Sequence, residues 1–403
     1  MGIEVSDIRG SGLKVSEILT MKKNIELNII KGLGILFVII VHMMNASGVS
    51  NILPTAVQTI VNSISVPVMT TFLIMSGYTY NPGKRSMGEN ILRRLKRLLL
   101  PYYQYLIFIL LTEIIIYLFI EKRSLAWFAD GLIGVVFQYQ SLHIFDTSIS
   151  YVHPMFYPVL VGWFVFQLAV GYVLFVPLVQ LIKDKKSYFK LILACVSFAL
   201  GALFYVLDLQ GLNGEFFPTV CKIFIIPNIF GTAGFLMLGY FLRDLKFMEL
   251  DTYSIKRKII TSLICLAYIV LICATDDNLY DYPIGKWGAF GAFSYLTGPV
   301  YGLALLLVLG ILSSLIRKCE GVTKIILFLG DNTMDILLSH INIAFIIAYI
   351  GGFWHYYISG DSIPTDVHSV NVIHFIVLLA LTLLALNVLI YCKKRFLVKK
   401  DKA

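Results

Sequence analysis

Two ionisable residues, Lys31 and His42, lie in the apolar stretch IIKGLGILFVIIVHMMN, which runs from Ile29 to Asn45. An ionisable side chain inside a membrane helix is costly unless it lines a polar cavity, so both are candidate functional residues. Eleven residues of α-helix make three turns and about 20°, so the two side chains share one face, about 16 Å apart along the axis. Histidine can act as a general base near neutral pH, so the pair predicts acid–base chemistry along this face.

Each of these two residues also has a purely structural interpretation. Lys31 lies close enough to one end of the stretch to extend its ammonium group to the lipid headgroups. His42 could hydrogen-bond between helices without taking part in a reaction. Gly32 and Gly34 lie between them and allow another helix, or a ligand, to approach the backbone closely.

A basic loop, NILRRLKRLLLPYY from Asn90 to Tyr103, precedes the third apolar segment. Its arginines, Arg93, Arg94 and Arg97, could form a phosphate clamp, because guanidinium groups bind phosphate oxygens in a bidentate manner. The alternative is a basic anchor that contacts anionic lipid headgroups.

Small and polar residues also interrupt the second apolar run, at Ser76, Gly77 and Tyr78. A serine–glycine pair in such a run is commonly a site of close helix packing. The motif alone is therefore weak evidence for a functional site.

The composition of the 403-residue chain is that of a polytopic membrane protein, with 58% hydrophobic and only 14% charged residues. Soluble domains contain about 25% charged residues. The net charge of +9 does not indicate nucleic-acid binding, because the basic residues cluster between apolar segments. The six cysteines have no spacing suited to zinc, so we expect neither a metal site nor a disulfide.

Hydropathy predicts an all-α integral membrane protein with about ten transmembrane helices. We assign residues 1–25 to a cytoplasmic tail, residues 26–391 to one transmembrane domain, and residues 392–403 to a basic cytoplasmic tail. The predicted spans cover residues 26–45, 54–79, 100–120, 155–182, 189–207, 222–242, 258–274, 287–315, 325–351 and 371–391.

The basic residues divide the connecting segments into two sets. Most of the 33 lysines and arginines fall in alternate segments that include both termini, whereas the opposite segments contain Lys122, Arg123, Lys222 and Lys286. The positive-inside rule then makes both termini cytoplasmic. The outer segments, above all residues 121–154, carry aromatic and polar side chains that suit a sugar ligand or, alternatively, an aromatic interface belt.

Taken together, these segments resemble the type 3 membrane acyltransferases. The first span of that family carries a basic residue, ten intervening residues and a histidine, as Lys31 and His42 do. The resemblance is closest to the branch of fucose O-acetylases in exopolysaccharide and lipo-oligosaccharide pathways. The further matching positions are Phe72, Ser76, Gly77 and Tyr78; Arg94, Arg97, Leu98 and Pro101; Trp163 and Phe164; and Gly330, Asn332 and His340.

The chain departs from that branch at a few positions. Asn28 stands where the branch often has aspartate, and Thr333 stands for serine. Asp335 and Leu337 stand where tyrosines are frequent. These differences bear on the identity of the acceptor more than on the donor chemistry.

The resemblance implies an O-acyltransferase that moves an acyl group, with acetyl expected, from cytoplasmic acyl-CoA to a hydroxyl of a cell-surface or lipid-linked glycan. Acyl-CoA would be a co-substrate, with no permanently bound cofactor. His42 would accept the hydroxyl proton or carry the acyl group, and Lys31 would hold the donor or stabilise the oxyanion. The other implied site residues are Arg93, Arg94 and Arg97 for the CoA phosphates, Ser76 and Tyr78 beside the donor, and Trp163, His340 and Asp335 for the substrate.

The expected partners are the glycan acceptor, acyl-CoA and membrane lipid, with no nucleic acid; the oligomeric state stays open. The expected location is the cytoplasmic membrane of a bacterium, crossed several times. Besides a scaffold or sensor that has lost activity, against which the intact pair of Lys31 and His42 argues, two alternatives remain at this point. One is a transporter or flippase of a glycan precursor, although the chain has no repeated halves of the kind common in transporters. The other is the same fold with a succinyl donor, whose carboxylate would need a further cation in the cavity.

Overall fold

The computed structural model describes residues 15–47, 54–83, 85–113, 163–209, 226–247, 253–275, 294–350 and 368–400, with a few isolated residues besides. Every regular element within these ranges is a helix, which confirms the predicted all-α fold. The helices are α1 (Val15–Ala46), α2 (Thr55–Tyr78), α3 (Met87–Glu113), α4 (Trp163–Ile182), α5 (Tyr188–Leu209), α6 (Ile226–Asp244), α7 (Ile255–Thr275), α8 (Ser294–Ile316), α9 (Glu320–Asp331), α10 (Thr333–Ile350) and α11 (His368–Lys400).

Four of the described helices contain stretches long and apolar enough to cross a membrane. They are Ile25–Met44 in α1, Phe164–Ile182 in α4, Thr297–Ile316 in α8 and Val372–Arg395 in α11. Each of the ten predicted spans overlaps a helix, but the count of ten is not confirmed and stays a prediction. Helix α1 begins at Val15, within the stretch assigned to the N-terminal tail.

Helix α3 includes the basic residues, so the predicted basic loop is wrong and these residues are helical. Ser86 and Glu89 form a capping box: the Ser86 hydroxyl accepts the backbone N–H of Glu89 at 3.3 Å, and the Glu89 carboxylate accepts that of Ser86 at 2.9 Å. The backbone hydrogen bond from Ser86 lowers the pKa of the Glu89 carboxyl. The arginines therefore project from a helix that begins at Met87 and whose start is specified locally.

The predicted span over residues 325–351 is divided into α9 and α10 at Asn332. The Asn332 side chain donates to the carbonyl of Phe328 at 2.6 Å, and the Thr333 hydroxyl donates to the carbonyl of Gly330 at 2.7 Å. The Thr333 bond pairs a carbonyl group at the end of α9, whereas the Phe328 carbonyl also accepts the backbone N–H of Asn332 at 3.3 Å. The break gives α9 and α10 separate directions against their neighbours.

Helices α1 and α9 cross with their backbones in contact, through a reciprocal pair of glycines. A Cβ atom at Gly32 would lie 2.0 Å from the carbonyl oxygen of Ile326, and one at Gly330 would lie 2.0 Å from that of Asn28. Neither position therefore admits a side chain at this spacing. The glycine that follows Lys31 thus brings another helix next to it.

Helices α2 and α6 cross in the same way through Gly77 and Gly239. A Cβ atom at either glycine would lie 1.9 Å from a carbonyl oxygen of the other helix, that of Leu236 or that of Ile74. Gly77 in the Ser76-Gly77-Tyr78 motif is thus a position of close helix packing.

Helix α1 lies at the centre of the described bundle and contacts α2, α8, α9, α10 and α11. Helix α3 packs against α4 and α10. Large apolar side chains on α7 and α11 point outward, among them Leu263, Ile264 and Leu384, as expected where a helix contacts lipid. Lys31 and His42 of α1 are therefore partly buried among neighbouring helices.

Candidate active site

A pair of histidines from distant parts of the chain meets between α1 and α10. Nδ1 of His42 lies 2.9 Å from Nε2 of His340, and the two rings stack at 5.1 Å between centroids with an interplanar angle of 30°. His340 is completely buried. The sequence marked both residues separately, and the structure brings them together as one unit, called here the histidine pair.

The backbone of α10 determines which nitrogen of His340 carries the proton. Nδ1 of His340 lies 2.8 Å from the carbonyl oxygen of Ile336 and 3.1 Å from that of Leu337. Carbonyl oxygens only accept, so in the neutral ring the proton is on Nδ1, and Nε2 is an acceptor. Nδ1 of His42 must then donate to it, which leaves the lone pair on Nε2 of His42. An imidazole in this form is ready to accept a proton.

Lys31 is oriented by a short polar relay that reaches α9. Its ammonium donates to the side-chain oxygen of Asn28 at 3.4 Å, and the Asn28 amide donates to the Asp331 carboxylate at 2.8 Å. The charges of Arg97 and Asp331 both act on the ammonium group. Lys31 is thus linked through Asn28 to a carboxylate at the end of α9, and it also experiences the charge of an arginine of α3.

An open cavity of about 260 Å³ lies where α2 ends and α3 begins, and we call it the arginine cavity. Its lining includes the predicted Arg93, Arg94 and Arg97. It also includes Arg85, which the sequence analysis missed because it precedes the basic stretch. The other lining residues are Thr79, Asn81 and Gly83. Guanidinium groups and small polar residues converging in one cavity suit a ligand with several phosphate oxygens.

Aromatic rings hold Arg94 in place in this cavity. Its guanidinium lies 5.2 Å from the Tyr80 ring centroid and 5.1 Å from the Tyr172 ring centroid. The Tyr172 hydroxyl donates to the carbonyl of Ser76 at 3.4 Å, and Arg243 donates to the carbonyl of Tyr80. Burial raises the pKa of Tyr80, against the opposing charge of Arg94. One wall of the cavity is thus braced by α4 and α6.

Other predicted site residues lie apart from the histidine pair. Asp335 pairs with Lys393 of α11 and accepts from the Tyr105 hydroxyl at 3.3 Å. Ser76 offers its backbone carbonyl to Tyr172, and Tyr78 is buried in the apolar core. Trp163 begins α4, but its side chain lies outside the described residues, as do the outer residues 130–162.

The three polar groups follow one another through the described bundle. Arg97, which lines the arginine cavity, is close enough to Lys31 for its charge to act on the ammonium group. Lys31 and His42 lie on one face of α1, about 16 Å apart along its axis. The histidine pair lies at the far end of that face. Apolar helices that enclose such a series of polar groups define an integral membrane protein with an internal site.

The chain belongs to the type 3 acyltransferase family, whose model, described as an acyltransferase domain, matches residues 24–392. This confirms the resemblance at the level of the family, and the protein is a membrane acyltransferase. The fucose O-acetylase-like branch stays a prediction. No curated protein and no solved structure matches the chain.

Proposed function

We propose that the protein transfers an acyl group, acetyl in the first instance, from cytoplasmic acyl-CoA to a hydroxyl group of a cell-surface or lipid-linked glycan. One observation carries the proposal: Arg97 of the arginine cavity acts electrostatically on Lys31, and Lys31 shares a face of α1 with His42 of the histidine pair. A donor with phosphates at one end and a reactive thioester at the other matches this order. The family gives the reaction class, and the order of groups supports the donor.

The arginine cavity holds the phosphates of the donor. Arg85 and Arg93 line the cavity, and Arg94 lies close to two tyrosine rings. Coenzyme A carries a pyrophosphate and a further phosphate on its ribose, so several guanidinium groups can each bind oxygens in a bidentate way. The placement of the basic residues on the cytoplasmic side follows from the positive-inside prediction.

The donor arm extends from this cavity past Lys31 toward His42. Lys31 hydrogen-bonds to Asn28, one turn nearer the N-terminus, so its ammonium points away from His42. With about 16 Å of helix between the two residues, the ammonium is too far from His42 to stabilise an oxyanion formed there. This geometry supports donor binding as the role of Lys31.

His42 is the group that acts on the reacting atoms. Its Nε2 accepts the proton of the acceptor hydroxyl while the hydroxyl oxygen attacks the thioester carbonyl carbon. The carbon–sulfur bond then breaks, and the leaving thiolate takes the proton from His42. The covalent alternative, in which Nε2 first takes the acyl group, uses the same nitrogen lone pair.

The acceptor and the location rest on the branch resemblance. A glycan hydroxyl is the acceptor, and the protein lies in a bacterial cytoplasmic membrane with both termini cytoplasmic. The aromatic residues of the outer segments are suited to stack against sugar rings, and none of them lies within the described residues.

The test compares the mass of the surface or secreted polysaccharide from cells with and without the gene. We expect the loss of one acetyl group per modified unit without the gene, and its return with the wild-type gene but not with His42→Ala. A mass difference of one succinyl group would show that the donor is succinyl-CoA instead of acetyl-CoA, with the same class of reaction. Loss of the polymer, with unchanged mass in what remains, would favour a transporter and contradict the proposal.

A further inference from the structure

We propose that His340 is a positioning residue that holds the proton of His42 on Nδ1 and thereby makes Nε2 the reactive nitrogen. This inference rests on the proposed function, because it assigns His340 a role in the reaction of His42. It differs from the substrate-binding role that the sequence suggested for His340.

The first step of the argument is that His340 cannot turn freely. Its Nδ1 is engaged by the carbonyl oxygens of Ile336 and Leu337, one turn earlier in α10. Its ring is fully buried and stacks on the ring of His42. Its Nε2 is thus presented to α1 in one orientation and as an acceptor.

The second step concerns His42, because a neutral imidazole can carry its proton on either nitrogen. Only one tautomer can donate from Nδ1 to Nε2 of His340 across the 2.9 Å that separates them. That hydrogen bond favours the tautomer with an unprotonated Nε2, as second partners do for metal-bound and catalytic histidines.

The third step follows the charge during transfer. When Nε2 of His42 accepts the hydroxyl proton, the ring becomes an imidazolium whose Nδ1–H still donates to His340. A hydrogen bond from a charged donor is stronger than one from a neutral donor, so His340 stabilises the charged ring more than the neutral one. No proton needs to pass to His340, because the proton leaves from Nε2 to the thiolate.

Contacts of α9, the helix that precedes α10, also help to fix the position of His340. Helix α9 is held against α1 by the glycine crossing and by the bond between Asn28 and Asp331. The break at Asn332 then starts α10, which reaches His42 eight residues later. The segment that orients Lys31 at one end therefore orients His42 at the other.

The kinetic test uses two substitutions of His340 whose side chains differ in length. In His340→Gln the amide oxygen can occupy the place of Nε2 and accept from His42, whereas in His340→Asn the shorter amide cannot. Ser339→Ala is the matched control, because the Ser339 hydroxyl bonds to the carbonyl of Asp335 in its own helix. All are measured as full-length protein in proteoliposomes, with acetyl-CoA as donor and the unmodified glycan from cells that lack the gene as acceptor.

We expect His340→Asn to lower kcat by about 10- to 100-fold, the usual cost of losing the partner that orients a functional histidine, with the KM for acetyl-CoA unchanged. His340→Gln should recover most of this loss, and Ser339→Ala should match the wild type. Equal losses in the Gln and Asn variants, or a change in KM alone, would overturn the positioning role.

A second measurement does not depend on transfer. In protein labelled with ¹⁵N-histidine, the ring signals distinguish protonated from unprotonated nitrogens, and His42→Ala identifies those of His42. We expect Nδ1 of His42 to be protonated and Nε2 unprotonated in the wild type, with the two forms mixed in His340→Asn. A protonated Nε2 in the wild type would overturn the inference. The expected signals in a protein that transfers no acyl group would contradict the proposed function alone.

Discussion

The arginine cavity and the histidine pair handle charge in opposite ways. The cavity is open and carries several guanidinium groups, so it attracts an anion from a distance and tolerates some variation in its position. In the histidine pair, His340 is buried and His42 is partly buried, and Nδ1 of His42 lies 2.9 Å from Nε2 of His340. Under the proposed function, donor binding and chemistry therefore take place in two separate regions of the molecule. Changes at the cavity should then act on KM, and changes at the histidine pair on kcat.

The largest effect is expected for His42→Ala, which removes the proposed base. General base catalysis contributes about 100- to 10,000-fold, so kcat should fall by at least the lower figure. The measurement is the release of CoA thiol by purified protein in proteoliposomes. Equal yield and unchanged thermal unfolding of the variant would exclude misfolding as the cause. Near-normal turnover in the variant would remove His42 from the reaction.

The next effect is expected for Arg94→Ala combined with Arg97→Ala. Loss of two charge-assisted contacts, each worth about 1.5 kcal/mol, should raise the KM for acetyl-CoA by about 100-fold with a much smaller change in kcat. Lys96→Ala is the control, because Lys96 lies on the same turn of α3 but is not among the residues that line the cavity. An equal effect of Lys96→Ala would favour the lipid-anchor interpretation of this basic helix.

A salt titration sharpens the same comparison. The cavity is exposed, so its attraction for the donor should weaken as the Debye length falls from about 10 Å at 0.1 M salt to about 3 Å at 1 M. We expect the KM for acetyl-CoA to rise with salt while kcat at saturating donor stays nearly constant. A fall of kcat in parallel would contradict the separation of the two regions.

A smaller effect is expected for Asn28→Ala, which cuts the relay between Lys31 and Asp331. The loss of a hydrogen bond to a charged group costs about 1.5 kcal/mol, so the KM for the donor should rise by about 10-fold. Asn387→Ala, which removes an exposed amide that bonds only within α11, is the matched control. A fall in kcat without a change in KM would place Lys31 at the reacting atoms instead.

The smallest effect is expected at the ion pair of Asp335 and Lys393. Lys393 is 39% exposed and Asp335 is 19% exposed, and pairs that contact solvent contribute about 1 kcal/mol or less to stability. In a double-mutant cycle with Asp335→Asn and Lys393→Met, we expect thermal unfolding to show a coupling free energy of this size. The change in kcat should be less than twofold, which is within the scatter of about 0.5 kcal/mol found for independent sites. A large loss of transfer in Asp335→Asn alone would support the substrate-binding role predicted for it.

Much of the helical framework could be predicted, because the positions and lengths of the apolar runs are visible in the sequence. The apolar stretch that holds Lys31 and His42 is a helix, and both residues lie in it. The start of α3 was also present in the sequence, since Ser86 and Glu89 have the spacing of a capping box, but the cluster of charges favoured a loop.

The histidine pair could not be predicted from local patterns. His42 and His340 are separated by 298 positions in the chain, and only packing places their rings in contact. The break at Asn332 coincides with Gly330, Asp331 and Thr333, but the apolar residues on both sides of this polar stretch favoured one continuous span. Arg85 was missed because it lies outside the basic stretch of residues 93–97, and the pair of Lys84 and Arg85 resembles ordinary surface charge.

The two glycine crossings limit how this protein can open. Helices whose backbones touch at Gly32 and Gly330, or at Gly77 and Gly239, cannot slide past one another without a clash. Each crossing therefore fixes one pair of helices, so we expect α1 to move together with α9, and α2 together with α6. If a substrate enters through an opening of the bundle, we expect that opening between these two helix pairs, where α1 packs against α2.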